Sequence, residues 1–176
     1  MLSNSFFQKP TLWVAKNLIG KTLVRKWRGK ELRGVIIETE AYAGFDDKAS
    51  HASRGRTART DIMFREAGRI YVYLIYGMHH CLNIVTEKKD FPSAILIRGV
   101  EATDETRLDG PGKVTKYFHI DKTLNCAKLG KNTGLWIENT MRCSKVRIRS
   151  GPRHNVSYAG KWAEKPWRFY SEGKLR

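Results

Sequence analysis

The strongest strand signal in the sequence covers residues 34–42, which read Gly-Val-Ile-Ile-Glu-Thr-Glu-Ala-Tyr. Side chains alternate between the two faces of a β-strand, so regular geometry puts both glutamates and two flanking residues on one face: Ile36, Glu38, Glu40 and Tyr42. A carboxylate on a half-apolar strand face beside an aromatic ring is an arrangement in which a general base can work. The alternative is a pair of exposed strand glutamates, and the Glu-x-Glu spacing alone does not separate the two.

Other short runs of β-forming residues lie on either side of this strand. They cover residues 21–27, 70–76, 81–86, 94–100, 135–138 and 145–149. Apolar residues at helical spacing predict a helix over 12–19, and the turn Gly110-Pro111-Gly112 predicts a second helix over 113–120. Strands outnumber helices and βαβ alternation is absent. The sequence therefore predicts an α+β fold with a curved, largely antiparallel β-sheet flanked by helices.

The size and composition of the chain favour a single domain over residues 1–176. Its 41% hydrophobic residues suffice for one core, and no linker rich in Pro, Gly or Ser divides it. No stretch approaches the roughly 18 consecutive apolar residues of a membrane-spanning helix, and the first ten residues lack a signal-peptide pattern. Cys81, Cys126 and Cys143 lie far apart, which argues against a disulfide framework. We therefore expect a protein of a reducing compartment with no membrane association.

The charge of the chain is strongly positive. Lys and Arg total 33 against 17 Asp and Glu, so the formal charge is +16. Such an excess implies a polyanionic partner. Near the C-terminus, Lys145, Arg147 and Arg149 alternate with apolar residues, which predicts a strand with one cationic face that follows phosphates.

A long polar stretch covers residues 43–68 and includes His51, Arg54 and Arg59. Irregular segments of this length are uncommon in compact domains unless they are functional or disordered. Its arginines suit contact with phosphate groups. A solvated surface loop is the alternative interpretation.

A tyrosine-rich segment, Tyr-Val-Tyr-Leu-Ile-Tyr-Gly-Met at 71–78, predicts a β-hairpin with the strand that follows. Tyr73 and Tyr76 are an odd number of residues apart, so in a regular strand they face opposite sides. An aromatic ring in a pocket can hold an extruded base, and one at a protruding tip can wedge into a base stack. Ordinary core packing is the alternative for Tyr71 and Tyr73.

Motifs for metal or covalent chemistry are missing from the sequence. The histidines show no His-x₃-His spacing, and residues 110–113 lack the length of a phosphate-binding P-loop. Neither a serine elbow nor a Cys-His signature occurs. We therefore expect neither a metal nor a cofactor.

Several motifs follow one another along nearly the whole chain. They are Glu-Thr-Glu-Ala-Tyr at 38–42, His-Ala-Ser-Arg-Gly at 51–55, Tyr-Val-Tyr at 71–73, Leu-Ile-Arg at 96–98 and Lys-Pro-Trp-Arg-Phe-Tyr at 165–170. In this order they resemble the alkyladenine (3-methyladenine) DNA glycosylase family. The resemblance implies a fold like the C-terminal domain of formyltransferases. It also implies hydrolysis of the N-glycosidic bond of damaged purines in duplex DNA that is bound from the minor groove.

The resemblance implies roles for individual residues. Glu40 matches the general base that activates water, and Arg98 matches the arginine that helps hold this water and the neighbouring phosphate. Tyr76 matches the wedge that fills the vacated base stack. The walls of the base pocket are matched by Tyr42, His51, Tyr73 and Asn83, with Asn83 at the position that screens out normal guanine, and the DNA interface by Met63 and Met78.

The predicted function is thus a monofunctional DNA glycosylase of base excision repair. The implied bases are 3-methyladenine, 7-methylguanine, hypoxanthine and ethenoadenine, and the implied partner is double-stranded DNA that contains such damaged purines. We expect a monomer, placed in the cytoplasm with the nucleoid in a bacterium or in the nucleus in a eukaryote. The cationic residues expected to bind DNA are Arg54, Arg59, Lys145, Arg147 and Arg149.

Two other functions fit the same residues. A non-catalytic DNA-binding protein would use the basic surface and the tyrosines for affinity, with Glu40 incidental. A metal-dependent nuclease would hold Mg²⁺ with clustered carboxylates, namely Glu38, Glu40, Asp46 and Asp47. Turnover separates the first alternative from a glycosylase, and chelation separates the second.

Overall fold

The structure is a computed structural model that describes residues 1–75, 77–139 and 147–172. The strands are β1 Thr22–Trp27, β2 Lys30–Ala43, β3 Ile70–Ile75, β4 His79–Val85, β5 Ser93–Ala102, β6 Arg107–Asp109, β7 Leu135–Glu138, β8 Arg147–Gly151 and β9 Arg168–Glu172. The α-helices are α1 Asn4–Phe7, α2 Thr11–Leu18 and α3 Pro111–Tyr117. Short 3₁₀ helices cover His51–Arg54, Asp61–Phe64, Lys122–Leu124 and Ser157–Trp162.

Strand β2 is an inner strand of an antiparallel sheet whose main strand order is β3-β4-β5-β2-β1-β7. One edge of β2 pairs with β5 over residues 34–43. The other edge is shared, because β1 pairs with residues 30–35 and β9 pairs with residues 38–40. Strand β8 extends this branch by pairing with β9. The C-terminal strands therefore lie directly beside the two glutamates of β2.

The main core lies between the sheet and helix α2. The helix buries Val14, Ala15 and Leu18, which pack with the core residues of β2 and β5. Thr39 of β2 is fully buried, and its hydroxyl donates a hydrogen bond to the Ala15 carbonyl at 2.9 Å. This bond satisfies a polar group inside the core and fixes the helix against the middle of β2.

A β-bulge interrupts β2 between Ile36 and Thr39, where the register against β5 shifts. Ile36 and Ala41 belong to the main core, whereas Val35 and Ile37 pack on the other side of the sheet. The prediction that Ile36 shares a face with the glutamates and Tyr42 is therefore wrong. The reason is that the extra residue of a bulge reverses the alternation of side chains. Because of the bulge, Ile36 lies on the core face of β2 and the two carboxylates lie on the opposite face.

The α+β class with a curved antiparallel sheet and few helices is confirmed. The two predicted helices lie close to their expected places, although α3 begins at Pro111, whose fixed φ suits a first helical position. The sequence pattern does not predict α1, β6 or β9. No helix in the described ranges is long and apolar enough to cross a membrane.

The polar stretch at 43–68 is partly built into the protein. Its second 3₁₀ helix, Asp61–Phe64, buries Ile62, Met63 and Phe64. These side chains form a small apolar cluster with Tyr71 and with residues of β4 and β5. This part of the segment therefore packs against the sheet, which holds the backbone that carries its arginines.

Gly34 of β2 lies in close contact with β5. A Cβ atom at this position would stand 2.5 Å from Val100 Cγ1 and 3.0 Å from the Glu101 carbonyl oxygen. We expect Gly34→Ala to lower the free energy of unfolding by about 1–3 kcal/mol, because the added methyl group overpacks the contact. Chemical denaturation measures the change. Gly130→Ala is the matched control, since a Cβ there meets nothing within 4 Å, and equal stability of the two variants would contradict the expected overpacking.

Candidate active site

Glu40 lies on β2 just after the bulge and is 1% exposed. Its Oε2 accepts a hydrogen bond from the Tyr42 hydroxyl at 2.7 Å, and its Oε1 accepts the backbone N–H of His154 at 2.9 Å. A buried carboxyl group is costly unless its oxygens have such partners. Both partners donate to Glu40, so each carboxyl oxygen is held in place as a hydrogen-bond acceptor.

Arg98 of β5 lies between two carboxylates. Its Nε is 3.6 Å from Glu40 Oε1 and 3.4 Å from Glu38 Oε1. The register shift of the β2–β5 pair brings this about, since Glu38 pairs with Gly99 and the next residue of β2 pairs with Ile97. The bulge therefore sets the two predicted catalytic residues, Glu40 and Arg98, against each other.

Tyr42 connects the carboxylate to the base-binding side of the site. Burial, and next the negative charge of Glu40, raise the pKa of Tyr42 well above its usual range. The phenol therefore stays protonated, and its O–H donates a hydrogen bond to Glu40. The Arg153 guanidinium lies 4.8 Å from the centre of the Tyr42 ring, a distance at which a cation is attracted by the ring face.

A narrow cavity opens beside Tyr42, and all four residues predicted as base-pocket walls line it. The full lining is Tyr42, Ala49, His51, Met63, Tyr71, Tyr73, Asn83 and Ala94. The rings of His51 and Tyr73 meet edge to face with centroids 4.6 Å apart. A wider cavity shares His51 and Tyr73 with this one and reaches Glu40, Arg98 and His154. The narrow cavity is an aromatic slot, and it therefore opens next to the buried carboxylate of Glu40.

Polar groups in the slot are held in fixed states. His51 Nδ1 is 3.0 Å from the Tyr71 hydroxyl, and burial, assisted by the charge of Arg59, lowers the pKa of His51 to about 4. Burial also raises the pKa of Tyr73. The Asn83 amide donates to the backbone carbonyls of Tyr71 and Cys81, both at 3.3 Å. At neutral pH these walls are uncharged, and Asn83 cannot turn without losing its partners.

Met63 is placed differently from the expectation. It is 2% exposed and lines the base slot, whereas the sequence interpretation puts it at the DNA interface. The 3₁₀ helix Asp61–Phe64 turns its side chain into the apolar cluster. Met78, expected at the same interface, is 72% exposed after the β3–β4 turn.

The cations expected to bind DNA fall into two groups. Arg54 and Arg59 are exposed and line an open groove beside the slot, and Arg59 also lies 5.3 Å from the centre of the Tyr73 ring. Arg147 and Arg149 are exposed on β8, but both pair with Glu172, at 3.7 and 3.1 Å. Tyr76 and Lys145, the expected wedge and a further cation, lie outside the described residues. The groove beside the slot is thus the better-supported cationic surface.

A buried ion pair that sequence reasoning missed fixes the back of the site. Arg153 donates to both oxygens of Asp47, at 2.6 and 2.8 Å, and neither side chain exposes any surface. Arg153 also donates to the carbonyls of Ala41 and Trp162. The next residue is His154, whose N–H binds Glu40. Local sequence patterns do not predict this pair, because its partners are 106 residues apart.

The same pair bears on the carboxylate set of the nuclease alternative. Asp47 is fully engaged, since its oxygens also accept the backbone N–H groups of Ala43 and Ala49. Asp46 is exposed to solvent. In the parts of the chain that the structure describes, no three His, Cys, Asp or Glu side chains are grouped so as to hold a metal ion. The structure therefore does not bring Glu38, Glu40, Asp46 and Asp47 together.

Comparison with known sequences agrees with this geometry. The profile of the Methylpurine-DNA glycosylase (MPG) family matches residues 5–175. A relative from Sodalis glossinidius is 46% identical, with 97% of this chain and 96% of the relative covered. A relative from Methanocella arvoryzae is 42% identical, with 98% and 92% covered. Both carry the provisional name 3-methyladenine DNA glycosylase.

The chain therefore belongs to the methylpurine-DNA glycosylase family, as its motifs predict. This membership confirms the predicted enzyme class, a hydrolase that acts on N-glycosyl bonds, and DNA as its substrate.

Breaking the buried ion pair should destabilise the protein strongly. We expect Asp47→Asn to lower the free energy of unfolding by about 3–5 kcal/mol, because it leaves the Arg153 charge buried without a counter-ion. Denaturant titration measures the loss. The neighbouring Asp46→Asn is the control and should stay within about 0.5 kcal/mol of the wild type, as exposed substitutions usually do. Equal effects of the two variants would contradict a structural role for Asp47.

The His51 imidazole should titrate near pH 4, and NMR follows its ring protons directly. Its pKa lies below the ordinary value of 6.5, so the unfolded chain binds this proton more readily than the folded protein. The contribution of His51 to stability is therefore complete above about pH 6.5 and is lost as the pH falls towards 4. Arg59→Gln should raise the pKa only in part, since burial is the larger cause. A midpoint near 6.5 in the wild type would show that the ring is solvated.

Proposed function

We propose that this enzyme extrudes a damaged purine nucleotide from duplex DNA and hydrolyses its N-glycosidic bond with a water molecule activated by Glu40. The observation that carries the proposal is the buried carboxylate of Glu40, 1% exposed, at the edge of an aromatic slot. The slot is lined by aromatic side chains, and a groove that carries Arg54 and Arg59 lies beside it. A reaction on a base needs such a pocket, because the target bond is out of reach while the base is stacked.

The chemistry requires one proton transfer and one bond exchange. Glu40 takes a proton from water, the water oxygen bonds to C1′ of the deoxyribose, and the bond from C1′ to the purine nitrogen breaks. The bonding electron pair leaves with the purine. Positive charge that develops on the sugar is stabilised by the neighbouring carboxylate. Since water is the nucleophile, the product is an abasic site in an unbroken strand.

The partners of Glu40 suit this role. Tyr42 and the His154 N–H hold its two oxygens, so the carboxylate does not rotate away from the water. Arg98, 3.6 Å away, supplies a positive charge that can hold the water or the phosphate next to the lesion. Tyr42 and the His154 N–H keep Glu40 oriented as an acceptor, which is what general base catalysis needs.

The slot favours alkylated purines. A 3- or 7-methylated purine carries a positive charge, so it is a good leaving group and is attracted by the ring faces of Tyr42 and Tyr73. Hypoxanthine and ethenoadenine are neutral and depend more on hydrogen bonds from the slot. The rigid Asn83 amide is proposed to exclude normal guanine. The names of the relatives support 3-methyladenine as the first base to test.

Duplex DNA is proposed to lie across the mouth of the slot, with the enzyme acting as a monomer. Arg54 and Arg59 are placed to contact phosphates on one side. The turn between β3 and β4, with the exposed Met78 and with Tyr76, is proposed to enter the minor groove and fill the place of the extruded base.

Replacing the carboxylate tests this mechanism. We expect Glu40→Gln to slow base release by about 10²- to 10⁴-fold, because the amide cannot take the proton of the water. The assay follows purines freed from methylated duplex DNA in EDTA, and it resolves released bases from strand breaks. Retained DNA binding and an unchanged melting temperature establish that the variant is folded.

Glu66→Gln provides the matched control, since Glu66 is exposed and pairs only with Arg69 among the described residues. It should release bases at the wild-type rate. If the wild type binds DNA but frees no base, the protein is a binder and the proposal is wrong. A strand break that forms without alkali or heat, or activity abolished by EDTA, would point to the nuclease alternative.

A further inference from the structure

Glu38 is a charged group of the site to which neither the family motifs nor the proposed mechanism gives a task. Three cationic or titratable groups converge on one of its oxygens, Oε1. Arg168 Nη1 lies at 3.0 Å, Arg98 Nε at 3.4 Å and His154 Nε2 at 3.6 Å. The Glu38 side chain is 16% exposed. It is therefore a half-enclosed carboxylate at the centre of a small charge network.

The backbone makes a specific place for this side chain. Glu38 pairs with Gly99 at the bulge, where a Cβ on residue 99 would lie 3.0 Å from Glu38 Cβ and 3.4 Å from its Oε2. On the opposite edge, β9 pairs Arg168 with Glu40 and Tyr170 with Glu38. Arg168 donates to Glu38 at 3.0 Å and also to the Pro152 carbonyl. Glu38 is thus held by β9 and faces β5.

Arg98 is the group that this placement affects most. Its Nε lies 3.4 Å from Glu38 and 3.6 Å from Glu40, and it is buried with no hydrogen-bond partner among the described residues. Charge-assisted N–H···O bonds are ordinarily 2.7–2.9 Å long. The guanidinium is therefore attracted by two carboxylates at nearly equal distance and is bonded closely to neither.

We propose that Glu38 is a positioning residue for hydrolysis, because it holds Arg98 at 3.6 Å from Glu40 and back from a close, hydrogen-bonded ion pair with it. A close guanidinium bond would occupy the Glu40 oxygen lone pairs and oppose their taking a proton from water. With Glu38 in place, the positive charge stays near the reacting water while Glu40 remains a base. The inference rests on the proposed role of Glu40 and deepens it.

Glu38→Gln is the direct test, since the amide keeps the size of the side chain and removes its charge. Arg98 should then move onto Glu40, and the single-turnover rate of base release should fall about 10- to 100-fold, as small displacements in an active site do. Affinity for the same methylated duplex should stay equal or increase, because one negative charge near the phosphates is lost. A rate that falls while affinity does not is the signature of positioning.

The double variant Glu38→Gln/Arg98→Gln tests whether Glu38 acts through Arg98. Without the guanidinium there is nothing to hold back, so Glu38→Gln should cause no further loss in the Arg98→Gln background. Glu38→Asp keeps the charge and should be faster than Glu38→Gln. Glu31→Gln, on the exposed start of the same strand and paired with Arg33, should match the wild type.

The outcomes distinguish a failure of the proposed function from a failure of the proposed role of Glu38. A wild type that frees no base overturns the proposed function itself. A wild type that frees bases, with Glu38→Gln equally fast, overturns only the role of Glu38. Additive losses in the double variant, or joint losses of affinity and melting temperature, also overturn it, because they indicate an independent or purely structural contribution.

Discussion

The buried ion pair between Asp47 and Arg153 is the interaction on which the geometry of the site depends. Its guanidinium also reaches the Ala41 carbonyl and lies above the Tyr42 ring, so it holds the end of β2. The residue after it, His154, supplies the backbone donor of Glu40. One charge pair, shielded from solvent, thus fixes both the general base proposed here and the aromatic wall next to it. Such a pair contributes position more than stability, since the cost of desolvating two ions offsets much of their attraction.

The balance of charge around the site differs from that of the whole chain. The protein carries a formal charge of +16, yet two carboxylates stand side by side on β2. The excess of cations attracts a polyanion to the surface. The carboxylates supply the opposite field at one point, where the proposed mechanism develops positive charge on the sugar. Arg98 lies beside both carboxylates and Arg168 lies beside Glu38, so their positive charges offset negative charges that would otherwise repel the phosphates of DNA.

Local sequence patterns predict the strands and the order of side chains along them. They do not predict the features that depend on which segments of the chain pair with one another. The β-forming composition of residues 34–42 predicts the central strand, and the alternation from Glu40 to Tyr42 survives. The face on which Ile36 lies is predicted wrongly, because the bulge depends on how β2 pairs with β5 and a local pattern does not record that pairing. Two further contacts join β2 and the residues just after it to the C-terminal part of the chain. They are Asp47–Arg153 and Glu38–Arg168, and local patterns do not predict them because the partners are far apart in the sequence. His51, Asn83 and Arg98 are singled out by resemblance to a family, since a lone residue in a loop or strand has no signature of its own.

The proposed base and the groups that hold it come from opposite ends of the chain. Glu40 is placed early in synthesis, whereas Arg153, His154 and Arg168 follow more than a hundred residues later. A chain that ends at β7 therefore contains Glu40 and its Tyr42 donor, but lacks the backbone N–H of His154 and the buried partner of Asp47. The C-terminal segment is therefore needed to complete the site, because the backbone donor to Glu40 and the counter-ion of Asp47 both lie in it.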